Sequence, residues 1–230
     1  MMNRLILTYR PIPSEVSIQL SYSKSISNRL LMLRMLAGNT FEIEHLSDAD
    51  DTRIMEEAIR NYEQGFDVID VGEAGTAARF LTAYFALKAK PVILTGSSSL
   101  LKRPISPLVD TLRSMGAMIE YLDTPEYLPL QFKGGRLHGA DIRINADISS
   151  QFVSALLMIA PLLPQSLNLQ LVNQEVSMPY IDLTIHLMNI CGARVTRLQN
   201  NSIQVDNSGY NFPGIISVEP DWSAADLCFA

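Results

Sequence analysis

The chain has 230 residues, 47% of them hydrophobic, and 18 Lys+Arg against 24 Asp+Glu for a formal charge of -6. That is enough apolar material for a packed core of one large domain or two small ones without covalent staples. The acidic balance and the absence of any lysine or arginine run argue against a nucleic-acid or acidic-membrane surface, so an anion site has to be built locally.

The elements follow in chain order. Leu5 to Thr8 and Val16 to Leu20 read as strands. Ser23-Lys24-Ser25-Ile26-Ser27-Asn28-Arg29 then runs into the apolar pattern Leu30-Leu31-Met32-Leu33, which predicts a helix over Lys24 to Ala37, ended by Gly38. Thr40 to Leu46 alternates as a strand, Ser47-Asp48-Ala49-Asp50-Asp51 opens a second helix carrying Ile54, Met55, Ala58 and Ile59, and Gly65 leads into the strand Phe66 to Val71. The same order of helix, strand, helix, glycine and strand returns twice. The first return has a helix from Gly75, a strand Val92 to Thr95, a helix Pro104 to Met115, then Gly116 and the strand Ala117 to Tyr121. The second has a helix from Ser149-Ser150-Gln151 to Ala160, a strand Leu167 to Val172, a helix Pro179 to Ile190, then Gly192 and the strand Ala193 to Leu198. The longer interval between Gly116 and Gly192 reads as an insertion holding Leu128 to Phe132 and Asp141 to Ile144. Three copies of one α/β unit, with helices inside a shell of sheets, are expected. Beyond Ile215 to Val218, Asp221-Trp222-Ser223-Ala224-Ala225-Asp226 looks like the opening helix of a fourth unit, so the sequence reads as cut short of its natural length.

Leu5-Ile6-Leu7 is too short for a signal-peptide core, and Leu156 to Leu163 is too short to span a bilayer. Cys191 and Cys228 lack CxxC spacing, which fits neither a disulfide framework nor a zinc knuckle and suits a reducing cytoplasm. His45, His138 and His186 form no metal-ligand spacing. Asp48, Asp50 and Asp51 read as helix-capping carboxylates, and Met32, Met35, Met158 and Met188 as core filling. No metal or cofactor is expected.

The chemistry concentrates at three helix starts. Lys24 and Arg29 place cations in a first turn, against the helix dipole, and an anionic ligand resolves that conflict. Ser25 and Arg29 share one helix face, as do Lys24 and Asn28, and both basic side chains are expected to be partly exposed. The starts at Gly75-Thr76 and Ser149-Ser150 are likewise clusters of free amides, with Arg79 and Arg103 nearby. Pro104 as the first residue of its helix leaves Arg103 at the amino-terminal lip. Equivalent repeat positions put these starts on a common side, as a phosphate or carboxylate cleft. Gly72-Glu73-Ala74-Gly75-Thr76 is neither a dinucleotide fingerprint nor a nucleotide loop.

Together, Ser-Lys-Ser-x-Ser-Asn-Arg from Ser23, Ala74-Gly75-Thr76-Ala77-x-Arg79, Arg103-Pro104, Ser149-Ser150-Gln151-Phe152 and Ser177-Met178-Pro179-Tyr180-Ile181-Asp182 closely resemble the 5-enolpyruvylshikimate-3-phosphate synthase family, over its amino-terminal half. The resemblance implies an inverse α/β barrel-like domain of three repeated units over 23-220. Residues 1-22 would be strands belonging partly to an incomplete second domain, and 221-230 the start of that domain. It implies transfer of the enolpyruvyl group from phosphoenolpyruvate to the 5-hydroxyl of shikimate 3-phosphate, without metal or cofactor. Lys24 would touch both substrates and be the catalytic residue on this half. Ser25 and Arg29 would hold the shikimate hydroxyl and carboxylate, and Gly75 and Arg103 the phosphoenolpyruvate. Ser149, Ser150 and Ser177 would bind the shikimate phosphate, with Gln151 and Tyr180 lining the ring; Arg79 would be structural. The remaining acid/base groups would lie in the missing carboxy-terminal half, leaving this chain inactive alone. Glu73 stands where the family usually has asparagine, Phe80 where it has proline, and Ser21-Tyr22 where it has Pro-Gly. Two other readings stay open: a non-catalytic phosphate-ligand-binding module, and the sibling transferase acting on a nucleotide sugar, whose loop typically carries a cysteine where this chain has Ser97 to Lys102.

Overall fold

The computed structural model describes residues 19–139, 141–145, 149–172, 178–199 and 201–222. The strand expected at Leu5 to Thr8, most of that at Val16 to Leu20, Ser177 and residues 223–230 lie outside the described residues.

Six α-helices and ten strands are described: α1 Lys24–Leu36, β1 Glu42–Glu44, α2 Asp50–Glu63, β2 Val68–Asp70, α3 Gly75–Ala86, β3 Val92–Thr95, α4 Ser106–Ser114, β4 Ala117–Tyr121, β5 Leu130–Gly135, β6 Asp141–Asn145, α5 Ser150–Ile159, β7 Leu167–Val172, α6 Met178–Ile190, β8 Val195–Arg197, β9 Ser202–Val205 and β10 Ile215–Ser217. Burial separates the helices into two kinds. In α1, α3 and α5 almost every residue beyond the first turn is buried, the pattern of a helix with apolar neighbours all round. In α2 only Thr52, Met55, Ala58 and Ile59 are buried, and in α4 only Leu108, Val109 and Leu112, the single stripe of a helix with one wet side. The helices α1, α3 and α5 pack against one another as the centre of the molecule, so their amino termini are set side by side.

Two four-stranded sheets have identical topology. In β2-β3-β5-β4 the first pair is parallel and the next two are antiparallel; β6-β7-β9-β8 repeats this. The third sheet has only β1 and β10, in parallel register Glu42↔Ile215 to Glu44↔Ser217. Gly65, Gly116 and Gly192 take φ of 93°, 107° and 88°, the left-handed stop just past α2, α4 and α6.

The repeat therefore exists, but its phase differs from the sequence reading. The strand after Gly65 pairs forward with β3 and opens the next unit, whereas the strands after Gly116 and Gly192 turn back on β5 and β9. The long interval from Gly116 to Gly192 is the regular one, because it includes the antiparallel pair β4 and β5. The first unit is abbreviated: no such pair is described between α2 and β2. Alternation in single segments cannot reveal this, since pairing partners lie far apart in sequence. Among the described residues, no helix is long and apolar enough to cross a membrane.

Candidate functional site

The amino termini of α1, α3 and α5 open onto two adjoining cavities that share Lys24, Thr76 and Gln151. The inner cavity, of about 250 Å³, is completed by Ser25, Asn28, Arg29, Ser150 and Tyr180. The outer one, of about 450 Å³, is completed by Asp51, Glu73, Gly75, Arg79 and Arg103.

Arg29 dominates the inner cavity. Ser23 caps α1, its hydroxyl accepting from the Ile26 amide, and one turn inside this start Arg29 is only 3% exposed. The expectation of a partly exposed arginine was wrong, because α5 and α6 close over this face of α1. Its Nε donates to Thr184 Oγ1 at 2.7 Å, Nη1 to the Ser25 carbonyl at 3.0 Å, and Nη2 to Ser154 Oγ and the Tyr180 carbonyl, each at 3.4 Å. The rings of Phe80 and Tyr180 each lie 5.7 Å from the guanidinium carbon. Phe80, in place of the proline typical of the resembled family, thus gives the cation an aromatic face. Every described partner is neutral. Burial pushes the guanidinium down to about 10, opposed by the nearby Tyr180 phenol. A buried cation without a carboxylate partner is a standing demand for an anion.

Asn28, 1% exposed on the face below Lys24, also borders this cavity, and neither its Nδ2 nor its Oδ1 has a described hydrogen-bond partner. Ser149 caps α5, accepting from the Gln151 amide at 3.2 Å, while Ser150 faces the cavity. Gln151 Nε2 donates to Thr76 Oγ1 at 3.1 Å and ties the start of α5 to the start of α3. Tyr180, 44% exposed, borders the opening. Ser177 lies outside the described residues, so its expected place beside these groups is not part of this geometry.

In the outer cavity Lys24 lies 3.6 Å from Asp51, both partly exposed. The helix α3 starts without a side-chain cap, since its N-cap residue is Ala74, and has no acidic residue in its first turn. At Gly75 glycine supplies space rather than a special dihedral angle, and the neighbours a side chain would meet there are the free ends of two arginines. A Cβ on it would stand 2.7 Å from Arg79 Nη1 and 3.2 Å from Arg103 Nη1. Arg103 arrives differently from the sequence expectation: Pro104 does not start a helix. Arg103 ends a short 3-10 helix, Leu100–Lys102, while α4 begins at Ser106 with Pro107 in its first turn. Leu100, 1% exposed, anchors that turn. Glu73 is turned to the same loop, accepting from Ser99 Oγ at 3.0 Å.

All the expected site residues that are described therefore gather at one place, except that Ser149 acts through its cap. Thr76, Asp51 and Glu73 join them without having been singled out as ligand contacts; Asn28 and Arg79 join them too, Asn28 having been paired with Lys24 toward one ligand and Arg79 counted beside the anion cleft, though neither was given a substrate contact. Thr76 and Asn28 stood inside the quoted motifs, and their neighbourhood to Gly75 and Lys24 was the available signal. Among the described residues, no group of three or more His, Cys, Asp or Glu is placed to hold a metal.

A family described as EPSP synthase (3-phosphoshikimate 1-carboxyvinyltransferase) matches residues 61–230. The 3-phosphoshikimate 1-carboxyvinyltransferase of Bacteroides fragilis is 44% identical over 220 residues, covering 94% of this chain and 52% of its own length. That of Serratia proteamaculans is 36% identical over 249 residues, covering 97% of this chain and 58% of its own. The chain thus spans about half the length of the curated relatives it matches. A solved EPSP synthase from Acinetobacter baumannii superposes with a TM-score of 0.78 over 90% of this chain and 51% of its own, at 21% identity, which establishes the likeness of fold. With a family match over most of its residues and relatives this similar across nearly all of it, the chain belongs to the EPSP synthase (3-phosphoshikimate 1-carboxyvinyltransferase) family.

Proposed function

We propose that this chain supplies the substrate-cradling half of an enolpyruvyl transferase, with the domain spanning 23-220. The reaction moves the enolpyruvyl group of phosphoenolpyruvate onto the 5-hydroxyl of shikimate 3-phosphate and releases phosphate. One observation carries the reading: a pocket around a buried Arg29 with no carboxylate partner among the described residues adjoins a second pocket around Arg79 and Arg103, with Lys24 and Gln151 on their common border. Two polyanions that must react need two cationic seats, close together and sharing a group that touches both.

In this reading the inner cavity takes shikimate 3-phosphate. Arg29 receives its carboxylate, Ser25 a hydroxyl, Ser149, Ser150 and Ser177 the phosphate, and Gln151 and Tyr180 flank the ring. The outer cavity takes phosphoenolpyruvate on Gly75 and Arg103. Addition joins the hydroxyl oxygen to the enol carbon as the hydroxyl proton passes to a base and a proton from an acid enters the methylene carbon. Elimination then breaks the bond to phosphate and removes a proton from the same carbon. Lys24, at the border, neutralises both anions and is the group on this chain suited to proton handling. The remaining proton-transfer groups are proposed to come from a carboxy-terminal half, so this chain alone binds shikimate 3-phosphate weakly and turns over negligibly.

The test is calorimetric titration of shikimate 3-phosphate into this chain, then a phosphate-release assay with and without the carboxy-terminal half of the Bacteroides fragilis relative. Binding by the chain and turnover only in the mixture are expected. Absence of binding, or turnover at an ordinary synthase rate by the chain alone, would reject the reading.

A further inference from the structure

We propose that Asn28 is a specificity-determining residue of the inner cavity, its buried amide reserved for an uncharged hydroxyl group of the bound ligand. The need for a neutral partner is argued from geometry; that the hydroxyl belongs to shikimate 3-phosphate rests on the function proposed above.

Among the described residues Asn28 does no structural work. It stands in the second turn of α1, past the cap that Ser23 provides, where asparagine is a poor helix former. Its two neighbours in sequence are both engaged: the Ser27 hydroxyl accepts from the Ser47 amide at 2.9 Å, and Arg29 makes four described hydrogen bonds. The buried hydroxyls of Thr82, Ser154 and Thr184 are bonded as well. Asn28 is 1% exposed and offers two N–H donors and a carbonyl oxygen, yet neither Nδ2 nor Oδ1 has a described partner. An unmet buried amide weakens a fold, so its place here calls for a partner that arrives from outside. The hydroxyls of Thr52 and Tyr121 are unmet too, but neither residue borders the two cavities, whereas Asn28 borders the inner one.

The chemistry of that partner follows from the amide and from its surroundings. A carboxylate or phosphate only accepts; it could meet Nδ2 but would repel the lone pairs of Oδ1. A hydroxyl both donates and accepts and brings no charge. Lys24 and Arg29 are the charged residues lining this cavity, and Asn28 lies between them in α1. The ligand's anions are drawn to those two cations, which leaves an uncharged polar group for the amide. Lys24, one turn nearer the helix start on the same face, borders both cavities, so the reacting 5-hydroxyl belongs beside it. Asn28 borders the inner cavity and not the outer, and therefore takes the adjacent, non-reacting 4-hydroxyl.

The test pairs calorimetry with proton–nitrogen NMR of the asparagine-labelled full chain, the Asn28 side-chain signals being assigned by their loss in N28A or N28L. The ligands are shikimate 3-phosphate, its 4-deoxy analogue and glucose 6-phosphate. The Asn28 signals are expected to shift with shikimate 3-phosphate and scarcely with the analogue. The unaltered chain should prefer shikimate 3-phosphate to the analogue by about tenfold or more, and N28A by less than about threefold. In urea, N28L should unfold no more easily than the unaltered chain, because it removes an unmet amide at similar volume. The same preference in N28A as in the unaltered chain would overturn the proposal and leave the enolpyruvyl reading standing. So would Asn28 signals that stay still while calorimetry shows shikimate 3-phosphate bound. Failure of both variants to melt cooperatively would make Asn28 a structural residue and overturn it equally. Shikimate 3-phosphate that does not bind, with Asn28 signals that shift on glucose 6-phosphate, would support the hydroxyl contact and reject the enolpyruvyl reading; no shift with either ligand overturns the proposal.

Discussion

The inner and outer cavities solve the same problem, holding an anion, by opposite means. Around Arg29 the protein surrounds one cation with neutral acceptors and two aromatic faces and removes it from water. Around Gly75 it leaves cations at a wetter surface and relies on number, with Arg79, Arg103 and Lys24 set against Asp51 and Glu73. The lowering of Arg29 to about 10 corresponds to ~3 kcal/mol of desolvation already incurred before any ligand arrives. An anion entering the inner cavity therefore meets a site organised in advance, with strong pairing and strict shape. In the outer cavity the same charge is more screened and the selection looser.

The largest effect should come from Arg29→Met. Shikimate 3-phosphate binding should weaken by ~3 to 5 kcal/mol, because the ligand's own anion is left in the cavity without its partner. Stability without ligand should change by less than ~1 kcal/mol, as lost hydrogen bonds are offset by relief of the buried charge. Urea unfolding beside calorimetry separates the two; a large loss of stability would mean that the inner cavity is built for structure. The same variant carries a pH signature. A guanidinium with a depressed folded pKa binds its proton less tightly folded than unfolded, so its cost is full below about pH 10 and is relieved as pH rises through that value. Unfolding measured from pH 9 to 11 should show this stabilising contribution in the unaltered chain and not in Arg29→Met.

Lys24→Ala is next, and it probes the border. Loss of one charge-assisted contact should weaken each ligand by ~1.5 to 3 kcal/mol without unfolding the domain, since the side chain is exposed and its Asp51 pair is a surface one. If only one ligand responds, the cavities do not share Lys24. Gln151→Ala removes the tie to Thr76 and should cost ~1 kcal/mol in binding, visible as a loss of coupling when the second ligand is titrated after the first. The smallest effect is expected from Phe80→Leu, about 0.5 to 1 kcal/mol in shikimate 3-phosphate affinity from the lost cation–π face, with the outer cavity unchanged by phosphate titration.

Much of this difference was illegible beforehand. Lys24 and Arg29 look alike in sequence, two cations in one helix start, yet Lys24 faces solvent and Arg29 is sealed beneath α5 and α6. Their five-residue offset alone turns them to different sides of α1, and only the packing of neighbours decides which side is wet. The strand β9 escaped notice because it is four residues long, with burial alternating only once its partners β7 and β8 are in place.

By itself, the sequence determined the local and repeated features. These are helices that stop where glycine takes the left-handed conformation, three helix starts rich in small and hydroxyl residues, and a recurring order of elements that puts those starts at equivalent positions. Such features depend on dihedral preference and on neighbours within one turn, which are written residue by residue. Tertiary structure alone decided the phase of the repeat, the sealing of Arg29 and the meeting of Arg79 with Arg103 over Gly75. Those depend on contacts between residues far apart in the chain, and burial, charge repulsion and strand partnership have no value until such contacts form.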